Sequence, residues 1–220
     1  MIDLTKIAKR VKRQFGDESG VQVTDDDIAM WSNDAMREAV IQNNKLNIKH
    51  SFAPAIRGQN IVRLPQLESL SAVLSVSHRH PEGKIYIPLV YQTPSDLDKD
   101  ARGWYSGVDE NPFTSVPRFY SFDSTGSISV YPAPSVEDGI GYGVTYNSFF
   151  PEVETLLTNY PVAQRYFQYI LEYCLMKAYE MDEDWASADR KTQYVQSALN
   201  QFQSTDSNAH QTVYPIIGGH

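Results

Sequence analysis

Apolar positions change their period along the chain, and each change marks an element. Between residues 3 and 15, Leu4, Ile7, Val11 and Phe15 fall at helical spacing and make one apolar stripe. Asp3 stands where a helix cap is wanted, and Gly16 supplies a natural stop. A second helix is predicted from Asp25 to Asn43. Thr24 is a good N-cap, Asp27 stands three residues on in a capping-box-like position, and Asp25, Asp26 and Asp27 favour the positive end of the helix dipole. Its buried stripe is Ile28, Trp31, Ala35 and Ala39, with Val40 beside it.

From about residue 57 the runs become short and β-branched, broken by Pro and Gly: "NIVRLP", "AVLSVSHR" and "KIYIPLV". "TPSDLDKDARGW" interrupts them, with Ser95 placed to cap a single helical turn. Two alternating runs flank "DSTG", a tight-turn sequence, and predict a hairpin. "IGYGVTYNSF" adds a strand whose two glycines weaken it or mark a bulge.

After Pro151 the helical period returns. Pro161 suits a first turn, and Ala163, Phe167, Ile170, Cys174 and Ala178 give one face, widened by Leu171 and Leu175. Asp184 caps a last helix in which Trp185, Ala188, Thr192, Val195, Leu199 and Phe202 step by threes and fours. "STDSNAHQ" then has no period, and "TVYPIIGGH" over 212–220 is apolar again. The segregation predicts an α+β fold. Its helical bundle is formed from the N- and C-terminal helices, in 1–56 and 151–203. A β-rich middle insertion occupies 57–150, and an extended C-terminal arm occupies 204–220.

Length and charge narrow the function. The 220 residues carry a net charge of -8, which argues against a free nucleic-acid binder but allows a protein that encloses DNA without gripping it. A hydrophobic content of 41% is enough for a packed core rather than general disorder. The single cysteine, Cys174, rules out an internal disulfide framework and reads as a core thiol. No apolar run reaches the roughly 18 residues of a membrane span. "MIDLTKIAKRVKRQF" lacks the apolar core of a secretory signal, so synthesis in a reducing cytosol is expected.

Candidate chemistry is sparse. His78 and His80 share a strand face, but Pro81 follows and no carboxylate or cysteine completes a ligand set, so no metal is expected. His50, His210 and His220 stand alone. Glu152 with Glu154, and the acids of "EMDED" at 180–184, read as solvated caps rather than carboxylates facing each other across a cleft. No phosphate-cradling loop or nucleophile motif is present, so neither catalysis nor a cofactor is expected. The clearest asymmetry is the basic face of the first helix, Lys6, Lys9, Arg10, Lys12 and Arg13. It reads either as a solvated face or as a contact with an acidic partner, an acidic neighbouring subunit face (the 180–184 run is one such surface) or passing DNA. The 14 tyrosines suit either an interface or a tyrosine-rich core.

The arm poses an energetic question. Burying Tyr214, Ile216 and Ile217 is worth on the order of 5–8 kcal/mol. Ordering a flexible backbone costs about 1–2 kcal/mol per residue. One arm therefore binds weakly, whereas many arms on a symmetric assembly bind strongly, because each later contact is effectively intramolecular. Packing of the arm onto its own domain is the alternative.

The order of elements resembles the head-to-tail adaptor (connector) proteins of tailed bacteriophages, especially those of short-tailed phages. "TDDDIAMWSNDAMREAVIQNN" is similar to their first core helix, "PRFYSFDSTGSISVYPAPS" to their hairpin, and "YPVAQRYFQYILEYCLMKAYEMDEDWASADRKTQYVQSALNQF" to their closing helix pair. The resemblance implies a non-enzymatic dodecameric ring beneath the portal protein that continues the DNA channel and offers a platform to a tail nozzle or tubular protein. Double-stranded DNA would pass without sequence-specific binding, and an acidic lumen would let it slide. The resemblance assigns the portal-gripping extension to 204–220 and its docking part to Val213, Tyr214, Pro215, Ile216 and Ile217. It places the protein at the head–tail junction of the virion, after synthesis in the host bacterial cytoplasm. The competing readings are a tail-completion or nozzle protein, a tail-borne cell-wall hydrolase using Glu152 or Glu154, and a stand-alone soluble domain.

Overall fold

The computed structural model describes residues 1–43, 45–56, 60–62, 70–79, 86–100, 117–122, 127–134 and 141–209. Helices come from both ends of the sequence and strands from its middle, an α+β arrangement. The chain divides into two compact units. One joins Met1–Leu46 to the described residues from Phe149 onward, and the other is Asn47–Ser148.

The helical unit opens with α1, Leu4–Phe15. The Asp3 carboxylate accepts from the Thr5 amide at 3.0 Å, and Gly16, at φ 91°, closes the helix with its N–H on the Lys12 carbonyl. Helix α2, Asp25–Gln42, starts in a full capping box. The Asp27 amide donates to Thr24 Oγ1 at 3.2 Å, and the Thr24 amide donates to Asp27 Oδ2 at 2.9 Å. Its buried face takes in Ala29, Ser32 and Met36 as well as the expected stripe, since α2 packs on both α1 and a later helix, α4, Phe167–Met181.

That helix, α4, spans Phe167–Met181 behind a 3-10 turn at Gln164–Tyr166. It starts later than Pro161 leads one to expect. Ile2 and Tyr160 exchange both backbone hydrogen bonds, at 3.0 and 2.8 Å, and Ala163 is still extended (φ -67°, ψ 147°). Helix α4 is the axis of the unit: Tyr169, Ile170, Leu171, Tyr173, Cys174, Leu175, Met176 and Ala178 are all buried.

The last helix, α5, spans Trp185–Ala209. Asp184 caps it by accepting from the Ser187 amide at 3.1 Å, and an ion pair between Lys191 and Glu172 (2.7 Å) ties it to α4. Its apolar stripe begins at Ala188 and runs through Val195 and Leu199; Trp185, expected in that stripe, is exposed. The helix also continues past residue 203 into the segment expected to be arm. Ser, Thr, Asp and Asn nucleate helices poorly, but adding residues to an existing helix is easy.

The described residues of the second unit form two four-stranded sheets. Its strands are β1 Ile48–Pro54, β2 Ile61–Val62, β3 Leu70–Arg79, β4 Tyr86–Pro88, β5 Val90–Tyr91, β6 Phe119–Phe122, β7 Ile128–Tyr131 and β8 Gly141–Ser148. The sheet orders are β1-β8-β3-β4 and β2-β7-β6-β5. Ala53, Val76, Tyr142 and Val144 from the first sheet share one apolar cluster with Val62, Tyr120, Ile128 and Val130 from the second. The expected hairpin is present as the antiparallel β6–β7 ladder, Phe119 opposite Tyr131 and Phe122 opposite Ile128; its turn, 123–126, lies outside the described residues.

Three local expectations change here. Strand β1 precedes residue 57, inside the segment assigned to N-terminal helices. As an edge strand it buries only Ala53, so it lacks a clean period-two signal. The register irregularities lie between Leu70 and Ala72 and between Val73 and Ser75 of β3, not at the glycines of β8. Gly141 instead leaves room for the Phe52 ring, which a Cβ would meet at 2.0 Å. Finally, helix α3, Pro94–Asp100, is capped by Thr93 rather than Ser95. The Asp96 amide donates to Thr93 Oγ1 at 3.2 Å, and Thr93 Oγ1 donates to Asp96 Oδ2 at 2.6 Å, which leaves Pro94 in the first turn, where its missing N–H costs nothing.

Candidate functional site

Burial of Leu4, Ile7, Ala8 and Val11 turns the five cations of α1 away from the core, but they do not act alike. Lys6 lies 3.5 Å from Asp3 in an exposed pair of little energetic value. The Arg10 guanidinium stacks over the Phe167 ring, 5.0 Å from its centroid, and so ties α1 to α4. Lys12 Nζ binds Asp25 Oδ1 at 2.6 Å and closes the loop between α1 and α2. Among the described residues, Lys9 and Arg13 have no hydrogen-bonding, ionic or ring partner; both are exposed. They open onto a cleft of about 690 Å³ whose lining includes Glu18, Asp26, Leu156 and Leu157. The basic face thus divides into three side chains occupied within the molecule and two available to something else.

The loop that frames this cleft is set by a residue the sequence reading did not single out. Asp17 is buried, and its carboxylate accepts from the amides of Val21 (3.2 Å), Gln22 (2.8 Å) and Val23 (2.9 Å) and from Ser19 Oγ (2.8 Å). These bonds, the Val23 amide foremost, hold its pKa down at about 2. A "GDESG" stretch between two predicted helices is the only sequence signal for it. A second clamp joins Asn33 to the 149–160 segment. Its side-chain amide donates to the Val153 carbonyl at 2.9 Å, and its carbonyl oxygen accepts from the Val153 amide at 3.1 Å.

The acids of 180–184 also separate by role. Glu180 pairs with Lys177 at 2.7 Å and Asp184 caps α5, while Asp182 and Glu183 are exposed. Glu152 and Glu154, the residues a hydrolase reading would use, lie exposed on either side of clamped Val153. His78 is buried against the Tyr142 ring (centroids 5.6 Å apart), and His50 Nδ1 lies 3.0 Å from Thr145 Oγ1. His80, His210 and His220 lie outside the described residues, as do the arm residues Val213, Tyr214, Pro215, Ile216 and Ile217. No described group of three or more His, Cys, Asp or Glu is placed to hold a metal, and no described helix is long and apolar enough to cross a membrane.

Several tyrosines do core work. Tyr142, Tyr160, Tyr166 and Tyr169 are almost fully buried, and the Tyr169 hydroxyl donates to the Ala35 carbonyl at 2.8 Å. Tyr86, Tyr91 and Tyr194 are exposed.

The fold is therefore a helical unit drawn from both ends of the sequence, with a β unit inserted between them in the chain and a charged surface on α1. The family model for the SU10 adaptor protein matches residues 2–215, and the chain belongs to that family, one of bacteriophage head-to-tail adaptors with a structural role in tail assembly. No curated protein matches the chain.

Proposed function

We propose that this adaptor forms a ring, a dodecamer, beneath the phage portal, continues the DNA channel and gives the tail its docking platform. The observation that carries this reading is the family match over residues 2–215, which spans both units and the start of the apolar arm segment. Portal capture is assigned to Val213, Tyr214, Pro215, Ile216 and Ile217, acting in many copies. Each arm gains little after the cost of ordering its backbone, and the circle of arms gains much through effective concentration. The β-rich middle region receives the tail nozzle or tubular protein. The net charge of -8 makes the chain as a whole repel phosphates, so DNA passes rather than binds. The protein acts in the virion at the head–tail junction after synthesis in the host cytoplasm.

Removing residues 212–220 tests the arm. The truncated protein should keep the unfolding curve of the intact chain and lose portal capture in a pull-down. Capture of portal as firmly as by the intact chain refutes the assignment. Capture of nozzle but never of portal, by the intact chain, favours a tail-completion role instead.

A further inference from the structure

Among the described residues, two surfaces of the helical unit stay uncovered in one copy, and their charges can be matched in opposite sign. The cleft beside α1 has an apolar side in Leu157, which is 90% exposed, next to Leu156, which is buried in the core. Lys9 and Arg13 supply positive charge to its lining and Glu18 and Asp26 negative charge, while Lys12 is already paired with Asp25. The turn between α4 and α5 is the counterpart. Met181 and Trp185 are 47% and 62% exposed, and between them stand exposed Asp182 and Glu183. Arg190 is exposed just over one helical turn further on. No residue of 181–190 lines the cleft of its own copy.

The turn is also stiff. The amides of Asp182, Glu183 and Asp184 donate to the carbonyls of Ala178, Glu180 and Tyr179, at 3.1, 3.2 and 3.0 Å. Glu183 holds a left-handed conformation, φ 59°. A projection fixed in this way loses little entropy on docking. A tryptophan buries roughly 150–250 Å² when covered, which makes Trp185 a suitable anchor.

Resting on the ring reading above, we propose that the α4–α5 turn of one copy seats in the α1 cleft of the next. Trp185 and Met181 lie against Leu157, Asp182 and Glu183 face Lys9 and Arg13, and Arg190 faces Glu18 and Asp26. Charge complementarity of both signs selects a second copy of this chain as the occupant and fixes its direction. Because the two surfaces differ, the contact is head-to-tail, the kind that closes into a ring when its rotation permits.

Charge reversal tests it. One variant carries Lys9→Glu with Arg13→Glu, the other Asp182→Lys with Glu183→Lys; all four positions are exposed. Ring formation is followed by native mass measurement, for the protein alone and with portal. Each variant should need at least about tenfold more protein than wild type to form rings. An equimolar mixture should assemble as wild type does, since the reversed cleft of one meets the reversed turn of the other, and the two unreversed surfaces also match. Rings formed by both variants as readily as by wild type overturn the interface and leave the ring reading intact. A wild-type chain that stays monomeric both alone and with portal overturns the ring reading itself. Independently of folding in the reversed variants, Leu157→Cys with Trp185→Cys should give a ladder of disulfide-linked copies under mild oxidation. Ring-forming protein that yields no ladder counts against the contact. Cys174 is fully buried and adds no background.

Discussion

At the scale of single residues, Asp17 does more than any other described side chain to shape the α1–α2 loop. One carboxylate accepts from three backbone amides and a hydroxyl, and among these donors the amide of buried Val23 is the one that would otherwise be left unpaired near the core. Its pKa is lowered to about 2, so its contribution to stability is fully present above the usual carboxylate range of about 4 and is lost as pH falls through about 2. Asp17→Asn should therefore be less stable than wild type at pH 5, and the gap should close as pH falls toward 2. Urea unfolding curves taken across that range decide the matter; superimposable curves for the two proteins at pH 5 defeat the claim. Cys174 shows the opposite environment. Burial pushes its thiol up to about 12, with Ser32 Oγ at 3.7 Å as its one polar neighbour among the described residues. Iodoacetamide should leave the folded protein unlabelled for as long as it stays folded, and should label it fully in denaturant. Rapid alkylation of native protein is the result that contradicts this.

At the scale of elements, the start of α2 is the sharpest local signal in the chain. Thr24→Ala removes the side-chain half of the capping box and should cost about 1 kcal/mol, within the usual range of about 0.5–2. Thr24→Ser should restore most of it, and chemical denaturation of the three proteins measures both effects. Elements of this kind were legible in the sequence because their determinants are local. A cap and an apolar stripe lie within a few residues of each other, as in α2 and at Asp184 before α5, and α1 adds a glycine stop. Elements set by distant partners were not. Strand β1 exists because β8 lies beside it, with Ile48 opposite Asn147 and Pro54 opposite Gly141. The late start of α4 depends on Ile2 holding Tyr160 extended. The candidate surface divides in the same way. The cations of α1 were visible as a face, but only the tertiary partners of Arg10 and Lys12 show that Lys9 and Arg13 are the two left over. Leu157 carried no signal, because an exposed leucine in a loop looks in sequence like any buried one.

At the scale of the whole molecule, the β unit is one continuous stretch inserted into a helical unit that has its own core. Every buried residue of the helical core comes from positions up to Leu46 or from Val153 onward, and every buried residue of the β core lies between Ala53 and Tyr146. The two ends of the insertion are fastened together within the β unit. Ser148 N donates to the Asn47 carbonyl at 3.1 Å, Asn47 N donates to Asn147 Oδ1 at 3.0 Å, and Asn47 Nδ2 donates to the Ser148 carbonyl at 2.9 Å. The chain thus leaves and re-enters the helical unit at neighbouring points, which a short linker can span. A closed loop costs only about 0.6 kcal/mol more for each doubling of its length, so exchanging the insertion for a few residues should not penalise the helices. Replacing 47–148 with a short Gly-Ser linker should accordingly leave a helical protein that melts in one cooperative transition by circular dichroism. The reciprocal fragment, 47–148, should show a strand spectrum of its own. A linker protein with no cooperative melt would mean that the helical core needs the β unit in order to form. The chain would then have to be treated as one folding unit, despite its two apolar clusters.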